Sequence, residues 1–337
     1  MPEEYAKLYW YDNKEEYEKF INNLAPIVLF TYNRLEHTKK TIEALQQNVF
    51  AKESRLFIYS DAPKNEEAVD LVQSVREYLH SVDGFKEVVI VERDRNWGLA
   101  ENIIDGVTKI VNEYGKIIVL EDDIVTSKYF LKYMNDALEV YKDEECVMAV
   151  SGFFWPDNSE DLPETFFLPW FSCWGWSTWS RAWDKFERNP EKLLREFSKE
   201  QIEYFNMDGS NDIWSQVIQN VEKSIYTWAV FFYAAIFKNN GKVLYSKYVL
   251  CINAGMDGTG EHCGATNMYD REISDKEITK YTMRIQFSEI GRSLLKKYFE
   301  KFNANNVINR LCLVYKKQGL IGVGKKVIHK IINCLNL

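Results

Sequence analysis

The chain has 337 residues, 46% of them apolar and 15% aromatic, and its 42 basic and 50 acidic side chains leave a net charge of −8. It is too long and too apolar for a disordered segment, and too acidic for a general nucleic-acid coat. The six cysteines form no CxxC pair, which argues against a zinc ribbon or a thioredoxin-type site. Residues 1–24 lack the apolar core of a signal peptide, and no apolar run reaches the roughly 18 residues of a spanning helix. Free thiols and a cytoplasmic location are the resulting expectation.

In chain order, residues 26–31 (PIVLFT) are a continuous apolar run that predicts a buried strand, with Asn33 and Arg34 opening the turn after it. Residues 36–47 predict a surface helix, and 55–60 (RLFIYS) a second strand ended by Asp61. A helix over 66–79, a third strand over 87–91 and a helix over 99–114 follow. The fourth strand, 116–120, runs straight into Glu121, Asp122 and Asp123. A helix over 127–141, with Ser127 as its cap, and a fifth strand over 147–150 complete the series. Strand and helix in alternation predict an α/β domain with a mostly parallel sheet. Ligands of such sheets bind beyond the carboxyl ends of the strands. The polar strand ends at Thr31–Arg34, Ser60–Asp61, Arg93–Asp94 and Glu121–Asp123 should therefore converge on one edge.

Beyond residue 151 the texture changes. Six of the ten tryptophans fall between Trp155 and Trp183. Helices are expected over 190–197, 212–224 and 228–237, and a short strand over 242–245. Residues 251–264 (CINAGMDGTGEHCG) hold four glycines and predict a loop able to close on a ligand.

Three consecutive carboxylates at a strand end repel one another. A divalent cation relieves that repulsion, and carboxylate oxygens suit Mg²⁺ or Mn²⁺. The plainer reading is an acidic helix cap in water. No GxGxxG or Walker sequence is present, so a phosphate ligand would be held through a metal. Asp257, Glu261 and His262 give the glycine-rich loop groups for acid–base or ligand chemistry; a solvated surface turn is the alternative. The segment 171–179 (FSCWGWSTW) alternates aromatic rings with small hydroxyls, which suits a sugar face, although such rings also serve as core.

In this order the segments resemble the GT-A fold nucleotide-sugar glycosyltransferases, of the N-acetylglucosaminyltransferase I type and a related bacterial group. The resemblance spans about residues 25–264 and rests on LFTYNR (29–34), Ser60–Asp61, IIVLEDDI (117–124), Trp174–Gly–Trp176 with Trp183, and NAGMDGTGEHC (253–263). It implies a three-layer α/β fold, with 25–150 as the nucleotide-sugar half and 151–285 as the acceptor half. Residues 1–24 would be an extension and 286–337 a basic helical region. It implies that Asp123 binds the metal, with His262 as a late metal ligand or phosphate contact, and that Asp122 contacts the ribose. Glu121 would face the transferred sugar, and Asp61 the base. Thr31, Asn33 and Arg34 would line the nucleotide pocket, and Trp174 and Trp176 the acceptor side. The activity implied is metal-dependent, inverting transfer from a nucleotide-sugar, of the UDP class, to a glycan or lipid-linked acceptor in surface polysaccharide synthesis. Where eukaryotic relatives carry Asp after a Trp, this chain has Ala229, so the general base is sought at Asp257 and then Asp212. A sugar nucleotidyltransferase and an inactive carbohydrate-binding module are the rival readings.

From residue 296 to the end there are nine Lys or Arg against one Glu, and Leu320, Val323, Val327, Ile331 and Leu335 fall on one helical face. This basic amphipathic pattern suits peripheral binding to an anionic membrane, or a helix packed on the domain with its lysines in water.

Overall fold

The computed structural model describes residues 4–156, 159–256 and 271–303. Its strands are β1 (Ile27–Thr31), β2 (Arg55–Ser60), β3 (Glu87–Glu92), β4 (Lys116–Glu121), β5 (Ile124–Thr126), β6 (Val147–Ser151), β7 (Thr165–Leu168), β8 (Trp176–Trp179), β9 (Lys242–Ser246) and β10 (Cys251–Asn253). The helices are α1 (Lys14–Asn22), α2 (Leu35–Gln46), α3 (Val69–Leu79), α4 (Leu99–Tyr114), α5 (Phe130–Val140), α6 (Ser180–Trp183), α7 (Pro190–Glu196), α8 (Lys199–Phe205), α9 (Ser215–Val221) and α10 (Ala229–Lys238). Residues 289–303 are helical as well. Among the described residues no helix is long and apolar enough to cross a membrane.

Eight strands form one sheet in the order β3-β2-β1-β4-β8-β6-β9-β7. The β3-β2-β1-β4 half is parallel throughout, whereas β8 runs antiparallel to both β4 and β6. The three-layer expectation holds because the buried strands alternate faces. Val28, Phe30, Phe57, Tyr59, Ile117 and Val119 join α4 in one core. Ile27, Leu29, Leu56, Ile58, Ile118 and Leu120 join α2, α3 and α5 in the other. Helix α4 lies close on β1, since a Cβ on Gly106 would sit 2.8 Å from the Phe30 ring.

Several expectations need correcting. The helix expected from Ser127 starts at Phe130, with no side-chain cap; Ser127 Oγ instead accepts from the Tyr129 amide at 3.2 Å. The tryptophan segment, which its sequence assigns to no strand, contains β7 and β8. Both strands are buried along their whole length, β8 inside the sheet between β4 and β6 and β7 at its edge beside β9. Trp176 is 1% exposed and stacks on Trp228 at 5.2 Å. Trp179 Nε1 donates to the Leu138 carbonyl and Trp183 Nε1 to Thr108. Most of the tryptophan excess is therefore core.

The N-terminal residues are fastened to the domain. Trp10 Nε1 (3.1 Å) and the Tyr11 hydroxyl (2.8 Å) donate to Asp136 Oδ1 on α5. Lys132 Nζ (2.7 Å) and the Tyr281 hydroxyl (3.3 Å) donate to its Oδ2. The Ala6 amide donates to the Tyr281 carbonyl.

Candidate functional site

The parallel register brings the expected strand ends together. Thr31 lies opposite Ser60, and Phe30 opposite Glu121. The Asp61 amide donates to the Thr31 carbonyl at 3.0 Å. Just past β4, Asp122 and Asp123 are 4% and 7% exposed. Thr41 of α2 holds the Asp122 carbonyl at 2.9 Å, which fixes the acidic turn against the helix that follows β1.

Arg34 supplies the cation that the three carboxylates require. Its Nη2 donates to Asp122 Oδ1 and, at 2.8 Å, to Asp123 Oδ2. Burial raises the Asp122 carboxyl to about 6, with the Asp123 charge adding to the rise and Arg34 opposing it. Glu121 is pushed up to about 8, first by burial and then by the charges of Asp123 and Asp122. At neutral pH Asp122 is thus largely ionised, whereas Glu121 holds its proton.

This neutralisation is incomplete. Asp123 Oδ1, Arg34 Nη1 and Thr31 Oγ1 are all buried without a hydrogen-bond partner. A buried unpaired polar atom costs about 1–3 kcal/mol, so three at one edge mark a place shaped for a polar ligand. Among the described residues no group of three His, Cys, Asp or Glu is disposed to hold a metal. Two carboxylates do fit Mg²⁺ or Mn²⁺, which take one or two from the protein and the remaining ligands from water and phosphate.

The glycine-rich loop is anchored at this same place. Strand β10 pairs antiparallel with β5, setting Asn253 opposite Ile124, and the Ala254 amide donates to the Asp123 carbonyl at 2.8 Å. Gly255 lies so close that an added Cβ would collide with Asp123 Oδ2 and stand 2.7 Å from Arg34 Nη1. A larger residue there would have to displace the Asp123 and Arg34 side chains. Asp257 and His262 lie outside the described residues.

Asp61 is committed to a loop. Its oxygens accept from the amides of Ala62, Trp97 and Gly98 (2.8–2.9 Å) and from Asn96 Nδ2 at 3.2 Å. It thereby shapes residues 96–98, where Arg93 stacks on Trp97 at 4.1 Å. Beside that loop a cavity of about 1010 Å³ opens, walled by Asn96, Trp97, Arg188, Lys223 and Tyr226. Arg188 is fixed there by Tyr226, 3.4 Å from its guanidinium, and by the Asn220 side chain. The sequence reading passed over this loop, although Asn-Trp-Gly before a helix is a turn signal.

Trp174 is partly exposed, packs on Phe153 at 4.7 Å, and its carbonyl accepts from the Cys251 thiol of β10. Trp176, by contrast, is sealed in the core and cannot face an acceptor. Asp212 is exposed and accepts from the Ser215 amide in its own turn. Ala229 opens α10 directly after the buried Trp228.

Residues 27–209, more than half of the chain, match the family model described as Glycosyl transferase family 2. No curated protein matches the chain in sequence. Among solved structures it is similar to a mannosyltransferase from Pyrobaculum calidifontis in complex with GDP-Man and Mn²⁺ (10% identity, TM-score 0.36, covering 68% of this chain and 76% of that one). It is similar to S. aureus TarS (13%, TM-score 0.40, 69% and 37%) and to a UDP-glucose pyrophosphorylase complexed with UDP-glucose (10%, TM-score 0.34, 69% and 94%).

Proposed function

The chain belongs to glycosyl transferase family 2, and on that premise we propose a metal-dependent, inverting enzyme. It moves a sugar from a nucleotide-sugar, of the UDP class, to a glycan or lipid-linked acceptor in surface polysaccharide synthesis. The observation that carries the metal reading is Asp123 Oδ1, a buried carboxylate oxygen left without a partner beside Asp122. Asp122 and Asp123 would hold Mn²⁺ or Mg²⁺, which when bound supplies charge neutralisation to the departing nucleoside diphosphate. Thr31, Asn33 and Arg34 line the nucleotide side, and Asp61 shapes its wall through the 96–98 loop. Glu121, protonated at neutral pH, can donate a hydrogen bond to the transferred sugar. Trp174 offers a ring to the acceptor.

A carboxylate takes the proton of the acceptor hydroxyl as its oxygen attacks the anomeric carbon from the face opposite the diphosphate, which inverts that centre. Asp257 is assigned this role, since in sequence it directly follows the anchored stem that ends at Met256. Unaltered single-turnover transfer in Asp257→Asn would remove it. Residues 296–337 are assigned to an anionic membrane surface, and failure of the protein to float with anionic liposomes at low salt would refute that.

The main test is incubation with UDP-sugars and Mn²⁺. Slow release of nucleoside diphosphate that stops on chelation is expected. Pyrophosphate formation would indicate a nucleotidyltransferase, and the absence of both products would sink the catalytic reading.

A further inference from the structure

We propose that Arg34 is a built-in competitor of the divalent cation: it occupies Asp122 and Asp123 until a diphosphate draws it off, so that metal and donor bind cooperatively. The inference rests on the metal reading above and concerns how this chain fills that site before its ligands arrive.

One guanidinium nitrogen bridges both carboxylates. A metal ion bound through the free Asp123 Oδ1 would lie beside this guanidinium, and two cations held on one carboxylate pair repel each other. Arg34 is not locked in place by a closed network, because Nη1 has no partner. A guanidinium also matches phosphate as well as it matches carboxylate, through paired N–H donors. The incoming diphosphate therefore offers Arg34 an equivalent partner and exposes the acidic pair in the same event. The β10 stem reinforces the exchange. Gly255 of the β10 stem lies close against both Asp123 and Arg34, so a change in the Arg34 position is felt at the stem. The stem itself is tied to β5 by its ladder.

An opposite charge at contact range changes the proton affinity of a carboxylate by about tenfold to a thousandfold, and the same attraction opposes a second cation. Mn²⁺ binding without nucleotide can be read by electron paramagnetic resonance of the free ion, in the full chain and in Arg34→Gln and Arg34→Met. Both variants remove the charge and keep much of the side-chain length, so recovery of either one suffices. Each is expected to bind Mn²⁺ at least about tenfold more tightly than the parent chain. Arg34→Lys, which retains a charge, is expected to show the weak binding of the parent. Adding UDP should raise Mn²⁺ affinity strongly in the parent and by a smaller factor in the charge-removed variants. Equal Mn²⁺ affinity in parent and charge-removed chains, or an equal effect of UDP on both, overturns the exchange and leaves the metal reading standing. No Mn²⁺ binding in any chain, with or without UDP, overturns both.

Discussion

Asp136 and Asp123 are both buried carboxylates next to a basic side chain, yet their surroundings differ in one respect. Asp136 receives four donors, two on each oxygen, from Trp10, Tyr11, Lys132 and Tyr281. Asp123 receives Arg34 on Oδ2 and nothing on Oδ1. The first network is saturated and ties α5, the N-terminal residues and residue 281 into one body. The second is left one bond short where three strand ends meet. Buried charge alone therefore does not distinguish a structural carboxylate from a ligand-binding one; unused valence does.

The sharpest way to break this contrast is to remove each carboxylate. Asp123→Asn should lower transfer by about a thousandfold or more, the scale on which losing a charge-stabilising group acts. Its thermal midpoint should hold or rise, since a buried, partly paired charge disappears. A clear loss of melting temperature would place Asp123 in the same class as Asp136. Asp136→Ala should do the opposite, costing about 3–5 kcal/mol in denaturant unfolding while the folded fraction keeps its turnover. Gly255→Ala comes next. The added methyl strikes Asp123 and Arg34, and a drop in Mn²⁺-dependent turnover of about tenfold is expected with little change in unfolding midpoint.

The smallest effect is on pH. Glu121 has its folded-state pKa raised from 4.5 to about 8, so the folded chain keeps a proton that the unfolded chain releases. Its contribution to stability is full below about pH 4.5 and is lost as pH rises through about 8. Asp122 and Asp136 are raised too, by burial, so the parent is compared with Glu121→Gln, which removes the Glu121 proton and its coupling to Asp122. A parent melting curve that falls no faster than that of Glu121→Gln over this window would remove the assignment.

Much of this was legible in the sequence. β1, β2 and β4 are short apolar runs that end in polar residues, and their length between turn signals suits a doubly covered strand. Their ends therefore had to meet, and Asp61 and Glu121–Asp123 had to lie on one edge. Other parts depend on contacts that spacing does not encode. The tryptophan segment suggested a sugar surface because Trp176-Ser-Thr-Trp179 mixes rings with hydroxyls, but a strand covered on both faces can bury that mixture. The acidic triplet by itself suits either a divalent cation or an acidic helix cap in water. That Arg34, 88 residues earlier than Asp122, already supplies a positive charge emerges only when α2 is set against the β4 turn.

The β5–β10 ladder also constrains how the enzyme is made. Ile124 must wait for Asn253 before its edge is paired, so during synthesis the acidic turn leaves the ribosome long before the stem that covers it. A nascent chain can assemble β1 to β4 early, because those contacts are comparatively local. It then presents Asp122 and Asp123 with Arg34 across them and the β10 stem not yet made. Chains that terminate before β10 should accumulate as folded but incomplete species, recognisable by protease cleavage around β5 that the full-length protein resists.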